Sequence, residues 1–554
     1  MDKKAEKWWD NLGVPQYGGE LVIRANRNIQ NFDPYFDESN LCSIQGVWME
    51  RLACDDWTLE PVKWNYRLGW HPPQYKKGHL AESWEFTEPG THIVHLRKGV
   101  HWQDIPPANG REFTADDVVF HFKRLYGPDG DFSKPSPFHI GVNAFPDLIS
   151  VTAADRYTVV FKFKTANEEA IIWTLYNFSL AQCMENPEAV RKWGDVGDWH
   201  HAVGTGPFIL QDFISGKSAT LVKNPDYWGY DQRYPQNKLP YFNGVKYLIV
   251  PDENEAMDLM RTGKLDVMFV GSPVQARAIQ KTNPEIMKIA AGVAPPPSLE
   301  MRMDREPFSD IRVRKAMQMA IDLQTIAESY YQGLVAPYPA TITSRTMTSW
   351  GFTYEQWPQD LKDEYDYNPN AARQLLADAG YPSGFKTNVV ANTAADMKLL
   401  PIILSYLADI GIDVEMRSME PGDWITYVEK EHKNDQLVYR PYGPFGHTYE
   451  PQRQIGKFRS DPVSYALYQK ANASPGEDEL RQLLKAANER ALRQHFAIAL
   501  LEPQGYALCQ PWLKGYSGQA HSLWMNGGGP CMASFYLSRF WIDNNLKKSL
   551  GHQP

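Results

Sequence analysis

Cysteine is scarce in this chain. Five Cys in 554 residues, with no Cys-x-x-Cys, are too few for a disulfide scaffold. Cys42 and Cys54 stand close in sequence, as do Cys509 and Cys531, while Cys183 stands alone. Either pair is open to bridging in an oxidising compartment, and free buried thiols account for them equally well. Long apolar runs are also missing. No stretch reaches the roughly 18 apolar residues of a membrane-spanning helix. The start, MDKKAEKWWDNLG, lacks the apolar centre of an export signal and, taken alone, reads as cytosolic. Basic excess is absent too. A net charge of −9 leaves no electrostatic footprint for nucleic acid and no reason to expect an anionic membrane surface.

Enzyme signatures are equally thin. There is no His-Glu-x-x-His, no Gly-x-Ser-x-Gly and no Walker loop. Gly204 and Gly206 resemble part of a dinucleotide fingerprint, but the third glycine is missing and Pro207 interrupts the helix start. A strand crossing between lobes is the preferred reading there. His92, His95 and His101 cluster in sequence, yet His92 and His95 point to opposite faces of a strand, which argues against a metal site. The adjacent acids Asp55-Asp56 and Asp116-Asp117 diverge in direction and fit surface or capping roles. Asn526-Gly527-Gly528-Gly529 reads as a flexible loop. A glycosidase stays open as the rival class, since its two carboxylates need not be near in sequence.

Aromatic residues are plentiful: 18 Trp, 29 Tyr and 24 Phe. Most belong in cores, and a surplus also suits a site that holds a ligand by flat apolar faces. Hydrophobic residues at 43% and charged residues at 22% mark an ordinary globular protein, and the length predicts three or four domains.

The stretch His79–Arg124 organises the rest. Residues 82–87 and 91–97 alternate as half-buried strands around a Pro89-Gly90 turn, with His92, Val94 and Leu96 on one side. Thr114 then stands at an N-cap, with Asp116 and Asp117 in the first turn and an apolar stripe of Val118, Phe122 and Leu125. Upstream, residues 20–25 form a first strand and residues 41–53 read as a helix carrying Trp48. Downstream, residues 157–164 alternate as a strand. A strand, a helix from Asn254 to Thr262 and a strand at 265–270 imply parallel pairing. Asp310 caps a helix with a Val313, Ala316, Met317, Ala320 stripe. Asn368, Pro369 and Gly380 punctuate another. Residues 402–408 continue as helix, 412–414 and 436–440 as strands, and 479–500 as a long helix.

Several strings carry a family likeness. Ala81-Glu82-Ser83-Trp84, Leu96-Arg97-Lys98-Gly99-Val100 and Phe113-Thr114-Ala115-Asp116-Asp117-Val118 lead it. Gly204-Thr205-Gly206-Pro207-Phe208, Asn224-Pro225-Asp226-Tyr227-Trp228 and Pro307-Phe308-Ser309-Asp310-Ile311-Arg312 continue it. In order and spacing the chain resembles the solute-binding proteins of ABC importers, in the peptide/nickel-binding family (bacterial extracellular solute-binding protein family 5). The resemblance implies an α/β, periplasmic-binding-protein-like fold. Two lobes close around a cleft, with an additional α/β domain on the first lobe. Residues 1–16 become a linker. Residues 17–55, 200–290 and 500–554 make a discontinuous lobe one, 56–199 the additional domain and 291–499 lobe two. It also implies a periplasmic or extracellular, membrane-associated location with the export signal removed, a small organic solute as ligand, an ABC permease as partner and a monomer. No metal or cofactor is expected.

For the ligand, the resemblance points to the loop after Asn26 and to residues 419–451. Peptide binders of this family read like Trp-x-Ala-Asp-Tyr in the later stretch, and the aspartate holds the ligand's α-ammonium. Here the ungapped match puts Tyr442 at the tryptophan and Phe445 at the aspartate, and no acid occurs between Asp435 and Glu450. A desolvated ammonium needs a counter-charge. The ligand is then a peptide held by backbone hydrogen bonds, with Glu450 or another acid serving, or an oligosaccharide or opine-like solute stacked on aromatic rings. The candidate contacts are Asn28, Tyr35, Trp48, Trp424, Tyr439, Arg440, Tyr442 and Phe445. Arg440 suits a carboxylate or phosphate.

Overall fold

A computed structural model describes residues 7–35, 44–67, 72–127, 148–166, 168–172, 175–176, 183–293, 296–344, 347, 350–441, 444–445, 454–473, 476–519, 522–523 and 532–553. The chain divides into two compact units. Unit one holds residues 1–270, 278–291 and 507–554, and unit two holds 271–277 and 292–506. Among the described residues no helix is long and apolar enough to cross a membrane.

Unit one is built on a seven-stranded sheet. Its order is Met287–Val293, Gln504–Cys509, Val267–Val270, Glu20–Ala25, Gly244–Ile249, Ser218–Lys223 and Phe208–Ile214. The expected strand–helix–strand unit is there, with helix Glu253–Arg261 capped by Asp252. Its two strands lie on either side of Glu20–Ala25, and both run parallel to it. Asp266 shows how distant segments are tied. Its buried carboxylate accepts the Val22 N–H at 2.7 Å and the Trp512 indole N–H at 2.6 Å. Burial raises its pKa.

A second sheet of unit one is antiparallel, in the order Ala81–Glu88, Thr91–Leu96, Thr158–Phe163, Leu148–Asp155. Alternation works as the sequence predicts: Val94, Leu96, Val159, Phe161 and Phe163 are buried. Helix Ala115–Tyr126 contributes Val118, Phe122 and Leu125 to the same core.

Unit two has a five-stranded sheet in the order Ile412–Met419, Phe385–Asn392, Leu437–Arg440, Ser298–Met301, Ala497–Ile498. The first three strands are parallel and the last two pair antiparallel. Helices Ile311–Met319, Pro369–Asp378 and Leu400–Asp409 bury their stripes against it. Gly380 closes the second of these with φ +97°, a conformation that a side chain disfavours.

Three expectations need correction. The described part of 41–53 is not a helix. A single 3₁₀ turn, Gln45–Val47, gives way to the strand Ala53–Asp55, which pairs with Lys76–Gly78. The helix expected over 479–500 is Glu477–Arg493. It stops because His495 takes φ +45° and Ala497–Ile498 is drawn into the sheet beside Ser298–Met301. Residues 203–207 are not a crossing strand. They are irregular backbone inside unit one, pressed on Trp48, and a Cβ at Gly204 would lie 1.9 Å from the Trp48 carbonyl oxygen.

Candidate functional site

In unit one the stretch after strand Glu20–Ala25 is held by its own side chains. Asn28 is exposed, and both ends of its amide are used. Nδ2 donates to Ser215 Oγ at 3.0 Å and Oδ1 accepts the Gly216 N–H at 2.9 Å, so it fastens the adjacent hairpin turn. Asp33 is buried, pairs with Arg124 and accepts the Tyr35 N–H at 3.1 Å. Tyr35 is buried too, donating its hydroxyl to the Cys183 carbonyl at 2.7 Å. Trp48 is fully enclosed beside Phe32, with ring centroids 6.2 Å apart. Its carbonyl accepts the Gly206 N–H at 2.9 Å, and its indole N–H has no partner among the described residues.

In unit two, strand alternation sorts the remaining candidates. Leu437 and Tyr439 face the main core, while Val438 packs on the other side with Val390, Trp424 and Val428. Trp424 Nε1 donates to the Val390 carbonyl at 3.1 Å. Arg440 joins this side, its guanidinium 5.6 Å from the Trp424 ring and within 3.3 Å of Glu429 and 3.6 Å of Glu300. The structure thus brings Trp424 and Arg440 together and sends Tyr439 to the opposite face. There the Tyr439 hydroxyl donates to the Asp396 carbonyl at 2.9 Å, and burial drives its pKa far up. The Asp396 carboxylate accepts the Tyr330 hydroxyl at 2.7 and 2.8 Å. Phe445 is buried against Phe458, centroids 6.4 Å apart. Tyr442 and Glu450 lie outside the described residues, as do Cys42 and Cys531.

The other sequence features resolve into separate local roles. His92 lies 2.7 Å from the Tyr176 hydroxyl, His95 lies 3.1 Å from Glu85, and His101 contacts the Gly110 carbonyl at 2.7 Å. Asp117 caps its helix, as expected. Asp55 does not stay at the surface: it is buried in an ion pair with Lys76 at 2.5 Å and accepts the Tyr536 hydroxyl at 2.7 Å. Cys54, Cys183 and Cys509 are buried free thiols, and burial pushes Cys54 up to about 12. Among the described residues, no group of three or more His, Cys, Asp or Glu side chains is placed to hold a metal ion.

This arrangement of sheets and linked segments has relatives. The family model of bacterial extracellular solute-binding proteins, family 5 Middle, matches residues 77–460, well over half the chain. The chain belongs to this family. It is a solute-binding protein. Heme-binding protein A of Haemophilus influenzae is 27% identical over 482 residues, spanning 80% of this chain and 83% of that protein. Glutathione-binding protein GsiB of Salmonella typhimurium is 27% identical over 425 residues, 76% of this chain and 73% of that protein. The fold matches that of periplasmic binding protein DppA from Helicobacter pylori, solved with the peptide STSA. The TM-score is 0.73 at 22% identity, covering 95% of this chain and 99% of that one.

Sequence reasoning passed over Gln454 and Ser298, two buried polar side chains near Phe445 and Arg440 in the chain or in strand register. Nothing in their neighbours' spacing marks them. Only burial and the lack of partners single them out.

Proposed function

We propose that this family 5 protein captures a peptide or a peptide-like organic solute and delivers it unchanged to an ABC permease. The observation that carries this reading is the family match across residues 77–460. Relatives at 27% identity are named for heme and for glutathione, and glutathione is itself a short peptide. Residues 441–449 contain no acid, so the ammonium grip expected of peptide binders is not supplied there. Amide hydrogen bonds then carry more of the selectivity, because each buried polar group of a solute must be matched. An oligosaccharide or opine stacked on aromatic rings is the second reading. The enclosure of Trp48, Trp424 and Tyr439, each at most 2% exposed, weighs toward the peptide. The protein acts as a monomer outside the cytoplasmic membrane, without cofactor and without turnover.

A thermal-shift screen across peptides, glutathione, heme, opines, oligosaccharides and nickel tests this. A ligand that binds only the folded state at about a hundredfold excess over Kd adds about 2.7 kcal/mol. The expected result is a rise in Tm with peptides and unchanged solute by mass spectrometry after incubation. Hydrolysed oligosaccharide would establish the rival enzyme class, and a shift confined to sugars or opines would establish the second reading. Light scattering behind a sizing column checks the monomer.

A further inference from the structure

Arg24 stands near the end of strand Glu20–Ala25, on the face it shares with Glu20 and Val22. It is 8% exposed. Its guanidinium is anchored along one edge: Nε donates to the Val250 carbonyl at 2.9 Å and Nη2 to the Pro251 carbonyl at 3.0 Å. A guanidinium has five N–H donors and a permanent positive charge. Two of the five are used, so both N–H groups of Nη1 and one of Nη2 have no partner among the described residues. Nη1 is not sealed in, and solvent reaches it. Burial lowers the pKa of Arg24, against the pull of Glu253 and Asp252. Neither acid forms an ion pair with it, and the Asp252 carboxylate caps helix Glu253–Arg261 instead. A mostly buried charge bonded only to neutral carbonyls calls for a counter-ion.

The position of that charge suits a ligand. Both acceptor carbonyls lie just past strand Gly244–Ile249, which runs parallel to Glu20–Ala25, as Val267–Val270 does on the other side. In open α/β sheets ligands settle beyond the carboxyl ends of such strands. This rim is tied together by its backbone. The Val250 N–H donates to the Ala25 carbonyl and the Ile249 N–H to the Lys217 carbonyl, each at 2.8 Å. Asn26, Arg27, Pro251 and Asp252 around it are exposed. Arg24 therefore ends at an accessible rim, held still by two bonds, with its other edge unoccupied.

We propose that Arg24 is a specificity-determining residue for the solute, its Nη1–Nη2 edge taking a ligand carboxylate such as the C-terminus of a peptide. This rests on the peptide reading above and gives that ligand a charged anchor inside unit one. No acid in 441–449 serves the peptide's ammonium, so its carboxylate becomes the end held by charge. Two parallel N–H bonds to a carboxylate are short, strong and geometrically selective.

The test uses the full chain and peptides that shift the wild type, each as the free acid and as its C-terminal amide. Calorimetric Kd values are measured for wild type, Arg24→Met, which keeps the stem and loses the charge, and Arg24→Lys, which keeps the charge and loses the fork. The wild type is expected to prefer the free acid at least tenfold. In Arg24→Met that preference falls to within twofold, and in Arg24→Lys it shrinks at least threefold. A role confined to holding Val250 and Pro251 would lower Tm and weaken acid and amide alike, leaving their ratio unchanged, and that result overturns the proposal. If Arg24→Met does not fold, the ratio in Arg24→Lys decides. A wild type that binds acid and amide equally also overturns the proposal while the peptide reading stands. A wild type that binds neither form sinks the peptide reading, and this proposal with it.

Discussion

His92 faces inward from strand Thr91–Leu96, fully buried between Phe86 and the Tyr176 hydroxyl. Burial holds its pKa at about 3 in the folded protein. An unfolded histidine titrates near 6.5. Between these values the unfolded chain binds a proton that the folded chain refuses. The stability contributed is fully present above pH 6.5 and is lost as pH falls toward 3, at up to about 1.4 kcal/mol per unit. His92→Phe removes this term, so the variant gains on the wild type as pH drops. Urea unfolding at pH 7, 5.5 and 4.5 reads the difference, and parallel pH profiles would reject the assignment. That His92 turns inward was legible from alternation with Val94 and Leu96. That it meets Tyr176, remote in sequence, was not.

At the scale of elements, helix Ala115–Tyr126 shows how much a local pattern specifies. Asp117 accepts the Thr114 backbone N–H at 2.8 Å, as a residue at the third helical position can. The tertiary fold then gives the same carboxylate two bonds from Arg111, at 2.8 and 2.5 Å, and one from the Trp102 indole at 3.3 Å. Asp117→Ala loses cap and ion pair together and is expected to cost about 2–3 kcal/mol. Arg111 is one-third exposed, so solvent screening keeps the ion-pair share small. The check is a fall in urea midpoint at constant m-value; a loss under about 0.5 kcal/mol would show the helix start to be held by packing alone. Elements that failed to match their patterns did so for tertiary reasons. The 477–493 helix yields its tail to a strand partner. The region around Trp48 has helical composition, but it follows a single turn into a pairing with Lys76–Gly78.

At the scale of the molecule, unit one is completed only by the end of the chain. Residues 507–509 lie in its seven-stranded sheet, Trp512 donates to Asp266, and Leu513–Lys514 pairs with Trp541–Ile542. Deleting residues 507–554 removes the second half of the strand Gln504–Cys509, which is flanked on both sides, and leaves the buried Asp266 carboxylate short of a donor. The truncated chain is expected to lose protease resistance across unit one. A truncated protein with native resistance there would show that the return segment is dispensable.

The sequence by itself determined the local elements and the family. Period-2 alternation, the caps at Asp310 and Asn368, the stop at Gly380 and the ordered strings from Ala81 to Arg312 all rest on contacts within a few residues or on the order of residues along the chain. Only the tertiary structure decided which strands become neighbours and which polar groups are left unmatched. It also decided that Trp424 and Arg440 share a face that Tyr439 does not reach. Those outcomes depend on burial and pairing between residues tens to hundreds of positions apart, which no short-range period in the chain encodes.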